Sequence, residues 1–143
     1  MDASYKVAFW GDLDTTNYYD IEYFIEKIIT RIIYKYSDVK LYVGRQSEFD
    51  FLASTTIRRV QKENPNRICD HILILPYADS IYVHERSVYD KYYDNVILLN
   101  TGLDNNSVRE HMKKIANETI CYSKYISMLK TEERIINLAE IIA

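Results

Sequence analysis

Residues Tyr42 to Asp50 read YVGRQSEFD: the end of an apolar strand, one glycine, a mixed polar turn and the opening of a helix. Whether this junction holds a ligand or only turns the chain governs how the remainder is interpreted. Just upstream, Val39 to Val43 (VKLYV) is β-branched and aromatic, as strands are. Downstream, Phe49, Leu52, Ala53, Thr56 and Val60 mark one helical face, and Asn64-Pro65-Asn66 stops the run. Strand, glycine turn and helix in that order make half of a βαβ unit.

The same arrangement recurs on either side. Tyr5 to Trp10 (YKVAFW) concentrates strand formers and stops at Gly11. Ile21, Phe24, Ile25, Ile28, Ile29, Ile32, Ile33 and Tyr36 then recur at helical spacing, with Glu26, Lys27, Arg31 and Lys35 between them, which predicts an amphipathic helix. His71 to Pro76 (HILILP) is almost continuously apolar, as a strand covered on both faces must be. This alternation predicts crossover connections and a parallel sheet.

The rhythm breaks at Tyr77 to Asp94, where tyrosines are scattered among charges. A long loop with room for one short helical turn is expected, and loops of that length in compact domains tend to be functional. Asn95 to Leu99 (NVILL) predicts a short strand at the sheet edge. Ser107 and Glu110 have capping-box spacing ahead of an apolar stripe formed by Val108, Met112 and Ile115. Thr119 to Tyr122 (TICY) predicts the next strand, and RIINLA in the tail fits a strand beyond it or a terminal helix.

Composition bounds the function. A length of 143 residues suits one domain with its own core. The 18 Lys and Arg are interspersed with 21 Asp and Glu for a net charge of -3, so no basic stripe offers itself to nucleic acid. Cys69 and Cys121 have neither zinc-ligand nor disulfide-framework spacing and are expected as reduced thiols in a cytoplasmic protein. No apolar run approaches the roughly 18 to 20 residues of a membrane span, and no membrane association is expected.

In open parallel sheets, ligands bind outside the carboxyl ends of the strands, near the point where strand order reverses. That rule selects Trp10, Gly11, Asp12 and Asp14 after the first strand, Gly44, Arg45, Gln46 and Glu48 after the second, Tyr77 after the third, and Ser123 after TICY. Gly44 would allow a tight turn, the helix amides beyond it would be free donors for an anion, and Arg45 adds a bidentate donor. The competing interpretation makes Ser47 a simple N-cap and leaves Arg45 in solvent. Glu48 likewise has two readings: a first-turn carboxylate favoured by the helix dipole, or an acid, base or nucleophile at a glycosidic carbon. His71, His84 and His111 are dispersed, so no metal site is expected. The glycines form no GxGxxG, GxxxxGK[ST] or GxSxG motif, so no cofactor is implied. Tyr77 or Tyr82 could stack on a base.

The succession VAFWGD, a long helix, YVGRQSEFDFLAS, ILILPY and NETICYS resembles the small stand-alone SLOG-type Rossmann-like proteins, relatives of the LOG and DprA domains. Its most specific part is Y-V-G-x-x-x-x-F-D, met at Tyr42, Val43, Gly44, Phe49 and Asp50. The resemblance implies a three-layer α/β Rossmann-like domain with a mostly parallel sheet, ordered third, second, first, then TICY. It also implies a nucleotide or nucleotide-derived ligand held by Gly11, Asp12, Gly44, Arg45, Gln46 and Ser123. Family members place a Gly-Gly phosphate loop after the last core strand, whereas this chain continues SKYISMLKTEERIINLA without glycine. The resulting expectation is a nucleotide-type binding protein with little or no catalysis. The alternatives are an enzyme acting on an N-glycosidic bond through Glu48 and a homodimeric interaction module; a homo-oligomer is expected.

Overall fold

The computed structural model describes residues 4–11, 17–100, 105–123 and 134–139. Its strands are β1 (Tyr5–Gly11), β2 (Asp38–Val43), β3 (Ile68–Leu75), β4 (Asn95–Leu98), β5 (Glu118–Tyr122) and β6 (Arg134–Asn137). Its helices are α1 (Tyr18–Lys35), α2 (Glu48–Glu63), α3 (Ser80–His84), α4 (Arg86–Tyr92) and α5 (Asn105–Ile115). The strands form one sheet of order β4-β3-β2-β1-β5-β6, and every pairing is parallel. This is a three-layer α/β Rossmann-like architecture.

Because side chains alternate across a strand, each strand feeds two cores. Val7, Phe9, Leu41, Val43 and Leu73 face the layer that carries Ile21, Ile25, Ile29, Phe49 and Ile57. Ala8, Trp10, Tyr42, Ile72 and Ile74 face the opposite side, where Val108 and Met112 of α5 cover them. The chain therefore steps outward from β1 to β4 beneath α1 to α4, then returns over the other face through α5 to lay β5 against the free side of β1. The order reverses at β1.

The predicted core order is realised, with the NVILL strand at one edge and RIIN as the strand beyond TICY. Two expectations are corrected. The segment 77–94 is two short helices: Asp79 caps α3 by accepting from the Tyr82 amide at 2.8 Å, and Tyr82, Tyr89 and Tyr93 are buried in the core. Their spacing of seven and four is helical, and the intervening charges obscured it. Ser107 does not precede its helix but lies in the first turn, because α5 already begins at Asn105.

At the amino end of the sheet, the carboxyl side chain of Glu118 is buried. It accepts from the Tyr5 hydroxyl at 2.8 Å and pairs with Arg31 at 3.3 Å, while the Tyr5 ring stacks on Tyr36. Among the described residues no helix is long and apolar enough to cross a membrane.

Candidate functional site

The carboxyl ends of β1 and β2 lie side by side, since Phe9 pairs with Val43, and α2 starts in the notch between them. Ser47 caps α2 by accepting from the Asp50 amide at 3.1 Å. The first turn then directs Phe49 and Asp50 inward. A side chain at Gly11 would stand 2.6 Å from the ring of the fully buried Phe49, and one at Gly44 would stand 3.0 Å from Asp50 Oδ2. Packing thus requires glycine at position 11, and at position 44 it leaves little room beside the Asp50 carboxyl, before any ligand is considered.

Asp50 is the unusual group here. Its residue is only 5% exposed. Oδ2 accepts from the Gln46 backbone amide at 3.0 Å, and Oδ1 is buried with no hydrogen-bond partner among the described residues. The backbone amide of Gln46, a residue expected to hold a ligand, is therefore already bonded to an internal carboxylate. Burial pushes the Asp50 carboxyl up to about 6, against the opposing pull of hydrogen bonds from Gln46 and Ser47 and of the nearby Arg109 charge.

Arg109 reaches this edge from the opposite face. α5 is anchored through Val108 and Met112, and Arg109 Nη2 donates to the Gly11 carbonyl at 2.6 Å while its guanidinium lies 4.9 Å from the centre of the Trp10 ring. The indole Nε1 of Trp10 is buried without a partner among the described residues. Ser123 arrives from the other side of the reversal, because Gly11 pairs with Tyr122. Its main chain is clamped by Asn137 of β6, which accepts from the Ser123 amide at 3.1 Å and donates to its carbonyl at 2.9 Å.

The structure thus brings Gly11, Gly44, Gln46 and Ser123 to one edge of the sheet. Asp12 and Asp14 lie outside the described residues. Glu48 is exposed at the start of α2 and accepts a hydrogen bond from the Tyr18 hydroxyl of α1. Arg45 lines a separate cavity between α2 and α4, with its guanidinium 4.9 Å from the centre of the Tyr89 ring. Tyr82 packs edge-on against Tyr89 inside the core and offers no stacking platform for a base.

His71 is fully buried, with Nε2 2.9 Å from the Ser54 hydroxyl, and burial drives its imidazole down to about 4, so it is neutral. Burial likewise pushes the Cys69 thiol up to about 12. Among the described residues no group of three His, Cys, Asp or Glu side chains is placed to hold a metal ion.

Three residues of this edge escaped the reading of the sequence. Asp50 matches the Y-V-G-x-x-x-x-F-D stretch but carries no role there, and only its burial distinguishes it. Arg109 stands between Val108 and Met112 with nothing local to mark it. Asn137 sits in an apolar run, and a lone amide among isoleucines was the available signal. Comparison with protein-family models gives no match to this chain, and comparison with curated proteins gives none either.

Proposed function

We propose that this protein binds a nucleotide-type small molecule at the carboxyl edge of the sheet, where strand order reverses between β1 and β5, and that it leaves the ligand uncleaved. The observation that carries this reading is the arrival of Arg109 at Gly11 from the far face of the sheet. A guanidinium has five N–H donors, and the bond to Gly11 uses one of them. The remaining donors suit a phosphate at the position that the fold class reserves for ligands. With the Gln46 amide bonded to Asp50, that turn amide is already occupied, and Arg109 is the charged donor at this edge. The likeness of the Tyr42–Asp50 stretch to SLOG-type proteins supports the same ligand class.

The absence of cleavage is argued from Glu48. Acid or nucleophilic chemistry at an anomeric carbon relies on a carboxylate in an enclosed, water-excluding site, and Glu48 is exposed. The test is thermal-shift and calorimetric titration with AMP and ADP-ribose. A ligand that binds only the folded state raises the melting temperature by mass action, and Arg109→Gln should weaken binding by about tenfold or more. If neither compound binds at millimolar concentration, the reading fails. Release of adenine from AMP that disappears in Glu48→Gln would replace it with the enzyme reading.

A further inference from the structure

We propose that the cavity between α2 and α4 is a second, separate ligand site, built for a planar aromatic carboxylate of one or two fused rings. The cavity measures about 280 Å³ and is walled by Phe51, Val88, Tyr89, Tyr92 and Tyr93. A cavity of about 150 Å³ accommodates benzene, so this one has room for a bicyclic ring system. Four of the five wall residues are aromatic, and aromatic faces and edges favour a flat aromatic guest over an aliphatic one of equal volume.

The walls are held in place independently of any guest. Tyr89 packs edge-on against Tyr82 and lies over Tyr93 at 6.0 Å with the rings inclined by 30°, and the Tyr93 ring in turn meets Tyr92 at 4.9 Å. Arg58 fixes Tyr92 from behind, donating to its carbonyl at 2.6 Å with the guanidinium 4.3 Å from the ring centre. Such preorganisation lowers the cost of binding.

The polar side chains around this lining differ in their engagement. The Tyr89 hydroxyl is closed off inside the core, so it is the ring of Tyr89 that faces a guest. The neighbouring arginines are engaged, Arg58 with the Tyr92 carbonyl and Arg59 with Glu22 and Glu26. The Arg45 guanidinium, by contrast, makes no hydrogen bond or ion pair with any described residue and only overlies Tyr89. A planar fork of donors on the wall of an aromatic cavity matches a carboxylate carried by the ring system. Glu85 shares the lining and would repel a second negative charge, which favours a singly charged carboxylate over a phosphate dianion.

The test is calorimetry and NMR titration of the full chain with 2-naphthoate, alongside neutral 2-naphthylmethanol and non-aromatic cyclohexanecarboxylate. Saturable binding of 2-naphthoate is expected, with both comparison compounds weaker by about tenfold or more, the loss expected when a charge-assisted contact or an aromatic fit is removed. Arg45→Gln should weaken 2-naphthoate by a similar factor, Tyr89→Phe, which keeps the ring and removes only the enclosed hydroxyl, should leave it unchanged, and Val88→Trp should block it by filling the mouth. Thermal melts confirm that each variant is folded. The proposal is overturned by an absence of saturation at millimolar 2-naphthoate, by equal affinity for the neutral alcohol, or by undiminished affinity in folded Arg45→Gln. A self-associated dimer that covers Phe51 and Val88 and leaves the acid unbound would overturn it as well.

Discussion

The ring of Phe49 occupies the space that any side chain at Gly11 would need, so the first turn of α2 is keyed into the end of β1. Gly11→Ala should therefore cost about 1 to 3 kcal/mol through overpacking. In the double variant with Phe49→Leu the two losses should sum to more than the measured total, because the smaller side chain makes room for the new methyl group. Urea unfolding of the four proteins gives the coupling directly, and strict additivity would show that the contact is not what excludes a side chain at Gly11.

Asp50 and His71 set opposite pH slopes. His71 lies near 4 in the folded protein against an ordinary value of 6.5, so its contribution is complete above pH 6.5 and is lost as pH falls toward 4. Asp50 lies near 6 against an ordinary 3.8, so the folded protein holds a proton that the unfolded chain releases, and stability falls as pH rises from 3.8 to 6. At about 1.4 kcal/mol for each unit by which a pKa moves, each effect is on the order of 3 kcal/mol. They nearly cancel between pH 4 and 6. Asp50→Asn should remove one of them, raising stability at pH 7.5 by about 1 to 3 kcal/mol and exposing the His71 slope below pH 6.5. Chemical denaturation across pH measures both, and a variant less stable than the parent at pH 7.5 would contradict the assignment.

Glu118→Gln tests the amino end of the sheet. The neutral side chain can still meet Tyr5, but the charge-assisted contact with Arg31 is lost, for about 1.5 to 3 kcal/mol. Tyr5→Phe should cost less, about 0.5 to 1.5 kcal/mol, because it leaves Arg31 and Glu118 paired. The ranking of the two unfolding free energies is the check.

Asn137→Ala should remove both bonds to the Ser123 main chain, for about 1 to 3 kcal/mol. The Ser123 amide should then exchange with deuterium faster than the amides at the centre of β5. Unchanged protection at Ser123 would mean that Asn137 does not hold that turn.

Much of the fold was legible because it depends on local period. The isoleucine stripe of α1, the apolar run of β3 and the glycine endings of β1 and β2 each report on neighbours a few residues away. The two short helices were missed because Tyr82, Tyr89 and Tyr93 are separated by charged residues that face solvent. The candidate edge was legible only in outline, since Gly11 and Gly44 mark where strands stop but not what fills the space beside them. Asp50 and Arg109 meet there through an α5 that crosses the far face, and no local pattern encodes a contact between residues 11 and 109. Arg45 lies on the turn after β2, yet its surroundings depend on α4, whose period is hidden among charged residues.

The late return of the chain through α5 also bears on synthesis. Until residues 118–122 leave the ribosome, β1 has a partner on one side only, and its Val7, Ala8, Phe9 and Trp10 line an unpaired edge of the kind that recruits other chains. What is an interior strand of the folded domain is, until β5 emerges, an outermost one. The nascent domain is then vulnerable to misassociation until residues 118–122 are available, and the carboxyl edge at Gly11 cannot be assembled before they are.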